Sequence, residues 1–353
     1  MTDNSISYRS SWLKHFIWLF ALLVLLIISS IMIGSVYIPL DQIWLAIWSA
    51  SGADPTWQSI IWDIRMPRAL TAVLAGVSLS VAGLHMQTLF RNPLAGPSVL
   101  GITSGASLGV AFLVLGGGFA TGIYALQQLG VTAHWLVFIF AFLGATVVLF
   151  IILFVSFRVT DNVVLLIVGI MVGNITLSLV SIWQYFSAPE AIRDFLIWTF
   201  GSFDSVSWSM INIFFWVAMS GFILSMILSK ILNTMLLGDQ YAISMGVHVR
   251  RARVSIILVT ALLAGVTTAF CGPIGFVGIA VPHLARAIIR DTDHKLMIPF
   301  SALIGAIIAV FCDIIAQLPG SQYTLPINAI TALIGSPVVI MVILGSKNLK
   351  GAF

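Results

Sequence analysis

Apolar runs recur along this chain at about 16–36, 68–89, 94–114, 135–156, 163–186, 208–229, 254–271, 274–290, 299–317 and 328–345. Each approaches the roughly 20 residues that a helix needs to cross a hydrocarbon core. The pattern therefore predicts an all-helical, polytopic membrane protein with about ten transmembrane helices. The connections are modest, so residues 1–353 read as a single transmembrane domain with no separate soluble part. The first run is too long for a signal peptide and has no small-residue cleavage site behind it, which makes it a retained helix.

One stretch departs from this pattern. Residues 230–253 place a mixed, polar-rich segment inside an otherwise apolar sequence. Ile231 to Leu237 is apolar and ends at Gly238. Asp239 is placed to cap a second turn through Tyr241, Ala242 and Met245, which Gly246 can close in a left-handed conformation. Lys230, Arg250, Arg251 and Arg253 bracket the segment. Two short helices are expected there, shaped as a handle for something in the cytoplasm.

Composition and charge sharpen the class. The chain is 60% hydrophobic and 8% charged, with a mean hydropathy of +1.10, which excludes a water-soluble fold. Threading the ten runs with the N-terminus inside puts Arg9, Lys14, Arg91, Arg158, Lys230, Arg250, Arg251, Arg253, Arg286, Arg290, Lys295, Lys347 and Lys350 on the cytoplasmic face. Only Arg65, Arg68 and Arg193 fall outside. This asymmetry is a positive-inside signal, so both termini and the 230–253 segment are expected in the cytoplasm. The net charge of +4 then reflects topology, and no nucleic-acid partner is implied.

Organisation hints at a duplication. Asn92-Pro93-Leu94-Ala95-Gly96-Pro97 and Cys271-Gly272-Pro273-Ile274-Gly275-Phe276-Val277-Gly278 are Gly/Pro-rich breaks in corresponding places of two halves, 65–200 and 250–346, that face opposite ways. Matching interrupted helices point to inverted repeats in transport proteins, although Gly and Pro are also simply common in membrane helices. In the fifth run Asn174, Ser178, Ser181 and Tyr185 share one helical face that suits a wet route for a polar cargo. Gly169-x-x-x-Gly173 and the same serines also suit close helix packing.

Chemistry-bearing residues are sparse. Cys271 and Cys312 have no CxxC spacing and read as packing residues, and the six histidines show no metal-ligand spacing. Asp313 is the one acid well inside a run, where it needs a partner or a wet cavity. A helix cap or a bond to nearby backbone is the expected partner, and a proton relay the rival. The chain has no H-E-x-x-H, G-x-S-x-G or G-x-x-x-x-G-K-[ST] motif. If nucleotide hydrolysis drives transport here, another polypeptide performs it. A secondary transporter working through Asp313 and a membrane-embedded enzyme remain the alternatives.

Several longer motifs resemble those of one family. Arg65-Met66-Pro67-Arg68, Gly83 through Pro97, Leu100 through Ala106, Gly272 through Gly278, Val281-Pro282-His283-Leu284-Ala285-Arg286 and Thr331 through Pro337 are similar to the permease subunits of bacterial ABC importers for iron-siderophores, haem and cobalamin. The resemblance covers roughly residues 16–346 in order. It implies a ten-helix subunit of the inner membrane, working as a homodimer around a central pathway. Two cytoplasmic ATP-binding subunits, which hold the ATP and Mg, would sit below it, and one periplasmic or lipid-anchored substrate-binding protein would deliver cargo from outside. No cofactor is implied for this chain itself.

The same resemblance implies site residues. Leu237, Gly238, Asp239, Ala242, Met245 and Gly246 match the coupling helices that seat in the ATPase. Arg65 and Arg68 match outer arginines that meet carboxylates of the binding protein. Asn92 and Leu94 lie where the family has its inner gate, with the turn around Thr160 as the other gating element. The chain departs from the family at Gln317, Thr324 and Asn328, where an Arg, a Glu and a Gly are usual, which reduces or shifts the expected docking ion pairs. Ferric siderophore or haem is the expected cargo, with cobalamin or an oxyanion such as molybdate behind.

Overall fold

The computed structural model describes residues 3–34, 36–48, 54–116, 133–159, 161–318, 321 and 323–345. Apolar periodicity becomes helix throughout. The long helices are α1 (Asp3–Met32), α4 (Met66–Phe90), α6 (Ala133–Arg158), α7 (Asn162–Phe186), α9 (Trp208–Leu236), α11 (Val249–Cys271) and α13 (His294–Ala316). Among the described residues these account for seven candidate spans, and three shorter apolar helices lie at the remaining expected runs. The three are α5 (Ile102–Leu115), α12 (Val277–Ile289) and α14 (Ile327–Gly345).

Shortness has a cause in each broken case. The expected span 94–114 begins as helix only at Ile102. Arg91 ends α4 with a left-handed residue, and Pro97–Leu100 forms a 3-10 turn that Gly101 closes at φ 73. At about 1.5 Å per residue, α5 and α12 are each roughly 20 Å long, short of the bilayer core. The second break contains a γ-turn at Phe276, with φ 64, ψ −34 and the Val277 N–H donating to the Gly275 carbonyl at 2.8 Å. A bulky residue at positive φ carries strain, and Phe276 is held there by Gly335 of α14, where any Cβ would strike the Phe276 side chain.

Other expectations are corrected. Ile231–Leu237 does not form a turn of its own, because α9 runs unbroken to Leu236 on apolar residues with no helix breaker before Gly238. Two short helices at the far end of the bundle were not anticipated, α2 (Leu40–Trp48) and α8 (Pro189–Thr199). A further turn, α3 (Pro55–Ser59), is capped by Asp54, accepts Pro at its start, and joins α4 through a π-helical turn, Ile60–Arg65.

Buried area concentrates on α4, α11 and α13, while α1, α6, α7 and α9 expose most of their apolar side chains, as lipid-facing helices do. Small residues let backbones approach at the centre. A Cβ at Gly76 would enter the Gly305 carbonyl, and one at Gly83 the Gly278 carbonyl, so α4 touches α13 and α12 backbone to backbone. Ring stacking adds to the packing, with Phe138 lying 4.2 Å from Phe270. Tryptophans gather at the end of the bundle where α4 begins. Trp62 donates to the Ala46 carbonyl at 3.1 Å and Trp208 to the Trp62 carbonyl at 2.7 Å, while Trp44 and Trp48 lie exposed beside them. Such a cluster marks a membrane–water boundary.

The α4–α12 contact predicts a sharp contrast between two glycines. Gly83→Val should destabilise the purified protein by roughly 1–3 kcal/mol through overpacking. Gly265→Ala, whose new methyl would meet nothing closer than Ile102 at 3.8 Å, should leave the melting temperature in detergent nearly unchanged.

Candidate functional site

Polar side chains collect at the two ends of α4 and on an exposed face of α7. The first is the tryptophan-rich end. Arg68 donates from Nε to Asp313 at 2.8 Å and from Nη1 to Asp204 at 2.5 Å, and Gln317 donates to the second oxygen of Asp313 at 2.9 Å. Asp313 is thus paired to a side chain 245 positions away, not to nearby backbone as expected. Arg65 turns inward and is buried, with its two terminal nitrogens bonding the Ile31 and Val36 carbonyls. It holds the end of α1 and presents no open charge to an outside partner. Thr324 is exposed, and Gln317 fills the position of the absent arginine as a neutral donor.

The exposed face belongs to α7. Gly169 and Gly173 pack on the turn before α5 and on its first residues, and the face carrying Asn174, Ser178, Ser181 and Tyr185 is exposed. Ser178 and Ser181 bond their own i−4 carbonyls at 2.9 and 3.0 Å, which satisfies each hydroxyl within the helix. The glycines of this helix pack against the bundle, while the stripe of Asn174, Ser178, Ser181 and Tyr185 lies on an exposed face.

The other end of α4 joins the two breaks to the segment after α9. The Asn92 side chain accepts the Leu94 N–H at 2.9 Å, and Leu94 itself projects outward. Thr160 lies outside the described residues. Helix α10 (Asp239–Ser244) follows Gly238, whose φ of 105 is a glycine conformation, and Gly246 closes it at φ 79. Asp239 is its first residue and does not cap it. Ala242 is fully buried, whereas Leu237, Tyr241, Ile243 and Met245 are exposed. This six-residue helix and its flanking residues Leu237 and Met245 thus show four large apolar side chains at a bundle end that the described residues leave exposed.

A family model, that of the FecCD transport family, matches residues 22–345. The chain belongs to the FecCD transport family. It is 33% identical to the vitamin B12 import system permease protein BtuC of Klebsiella pneumoniae over 341 residues, 94% of each chain. It is 34% identical to the hemin transport system permease protein HmuU of Yersinia pestis over 332 residues, 94% of this chain and 95% of that one. A solved structure of a metal-chelate type ABC transporter in an inward-facing conformation superposes with a TM-score of 0.81 at 28% identity, covering 94% of this chain and 99% of the other. FecCD chains are permeases of ABC importers, so this one is a membrane-spanning transport component.

Several polar residues of this FecCD chain escaped the sequence reading. Gln87 donates to the Ile279 carbonyl at 3.0 Å and accepts from Arg286 at 2.5 Å. His283 donates to the Pro93 carbonyl at 2.7 Å. Thr88, His294 and Asn233 form a chain of contacts at 2.8 and 2.7 Å between α4, α13 and α9. Partial burial works against the Asp293 carboxylate, but donation from Asn233 and the Lys295 N–H, with the nearby Lys295 charge, holds its pKa below the usual range. Among the described residues no cluster of His, Cys, Asp and Glu could hold a metal, and Cys271 and Cys312 are free and buried. Gln87, Thr88, His283 and Arg286 stand inside the motifs that carry the resemblance, whereas Asn233, Asp293 and His294 carry no motif, and sequence spacing reveals none of these partners on other helices.

The Arg68–Asp313 pair predicts a double-mutant result. Arg68→Met strands a buried carboxylate and should cost about 3 kcal/mol of stability. Adding Asp313→Leu removes the stranded charge, so thermal melting of the double variant should recover most of that loss.

Proposed function

We propose that the chain is the permease subunit of an ATP-driven importer that moves an iron chelate, ferric siderophore or haem, from an extracytoplasmic binding protein into the cytoplasm. The observation that carries the coupling half of this reading is α10 with its flanks, where exposed Leu237, Tyr241, Ile243 and Met245 form a knob at one end of the bundle. Apolar side chains on so short a helix suit a cleft in a partner protein, here the ATP-binding subunit. The buried Ala242 and the glycines at 238 and 246 fix how the knob projects.

The pathway half rests on exposure. In a homodimer the open face of α7, with Asn174 and Tyr185, would meet its symmetry mate around the route of the cargo. Asn92 and Leu94, with the turn around Thr160, would close that route at the α10 end, in the cytoplasm of a bacterial inner membrane with both termini inside. The tryptophan-rich end would face the binding protein. There Arg68 reaches the surface through Asp204, so docking exchanges an existing ion pair for one with a partner carboxylate. The metal-chelate neighbour and the hemin permease support a planar or chelated iron cargo. The vitamin B12 permease keeps cobalamin as the second reading.

Reconstitution with the two partner subunits in proteoliposomes tests this. Uptake of the cognate chelate should require ATP and the binding protein, and should be lost when nucleotide is depleted. Transport by the purified chain alone, driven by a proton gradient, would exclude the reading. Arg68→Glu should weaken binding-protein capture by roughly tenfold while ATPase assembly persists, and Ala242→Arg should do the reverse.

A further inference from the structure

An exposed apolar track runs along α6 and ends at an arginine. Leu143, Val147, Phe150, Phe154 and Arg158 stand at i, i+4, i+7, i+11 and i+15, so they share one helical face, and all five are exposed. From Val147 to Arg158 the track is about 16 Å long at 1.5 Å per residue, close to half of the roughly 30 Å hydrocarbon core. It therefore matches the depth of one leaflet. That leaflet is the one at the α10 end, because Arg253, which stands 3.6 Å from Asp239 of α10, also donates to the Val159 carbonyl at 2.8 Å.

Two guanidiniums lie at the head of the track, each on an aromatic ring. Arg158 Cζ is 5.5 Å from the Phe154 centroid, and Arg250 Cζ is 5.1 Å from that of Phe157, one turn further on. Arg250, from the first turn of α11, is fixed further by donating through Nη2 to the Phe157 carbonyl at 2.8 Å. Arg158 folds back along its own helix, as helical side chains do. Stacking occupies the face of a guanidinium and leaves its N–H edge open, the edge that holds a phosphate in bidentate fashion. Both arginines are exposed, and among the described residues no carboxylate is paired with either.

We propose that this face of α6 is a binding site for an anionic phospholipid. Arg158 and Arg250 hold the headgroup phosphate, and an acyl chain lies along Phe154, Phe150 and Val147. Charge selects this occupant, since a zwitterionic headgroup brings its own cation against the two arginines. The track selects it as well, because a soluble partner cannot follow an apolar face down a membrane-spanning helix. The site uses none of the residues assigned to the cargo route or to the α10 knob, so it stands apart from the importer reading.

The purified full-length chain is titrated in detergent with dioleoylphosphatidylglycerol or dioleoylphosphatidylcholine, and bound lipid is counted by native mass spectrometry. At low salt the parent should bind the anionic lipid roughly tenfold more tightly than the zwitterionic one. Arg158→Gln should lower that preference by about fivefold, the worth of one basic residue near a charged surface, and adding Arg250→Gln should leave about twofold or less. Arg158→Lys keeps the charge and should keep most of the preference. Arg158 is exposed, so its variants should melt near the parental temperature. Lys295→Gln, at an exposed lysine of the same end, should bind like the parent. An unchanged preference in the double variant overturns the proposal, and so does an equal loss in Lys295→Gln, which is the mark of a diffuse charge effect. Displacement of the lipid by millimolar inorganic phosphate overturns it in favour of a simple anion site. Loss of ATP-binding subunit co-purification in Arg158→Gln, with lipid preference intact, overturns it in favour of a protein contact.

Discussion

A helix interrupted inside a bilayer releases backbone groups that lipid cannot satisfy, and that requirement organises this protein. A handful of side chains meet it. Gln87 takes the Ile279 carbonyl, His283 the Pro93 carbonyl, and Asn328 accepts the Gly275 N–H at 2.9 Å. Asn328 also donates its own N–H to the Phe200 carbonyl, so it fastens the second break to the end of α8. A glycine at 328 would offer no such side chain. In each of the side-chain pairs donor and acceptor are more than fifty positions apart, so the breaks are held by the bundle and not by local sequence.

The same requirement separates the two ends. At the tryptophan-rich end the charges are tightly closed, with Arg68 within 2.8 Å of two carboxylates. Asp313 is nearly inaccessible there, and an ion pair so enclosed is strongly coupled to its geometry. At the α10 end Asp239 stands farther from its two arginines and is partly exposed.

Hydropathy made the spans legible, and Gly and Pro made the breaks legible, because both signals are local. Seven long helices and three short ones fall where the apolar runs stand. Partnerships across the bundle were not legible. Asp313 was visible as an acid in an apolar run, but nothing in the sequence tied it to Arg68, and the arginine beside it in sequence, Arg65, proved to serve backbone carbonyls. The short helices α2 and α8 were missed because their apolar faces are too brief to register as spans. The separate turn at 231–237 was expected from a change of composition, yet composition alone does not stop a helix whose residues still favour it.

Helix α7 has one further implication. It commits its glycines to the bundle and leaves Asn174 and Tyr185 on the outside. A protomer by itself must show that polar strip to hydrocarbon, which is unfavourable. Under the homodimeric arrangement proposed above, that cost is met by the matching face of a second copy.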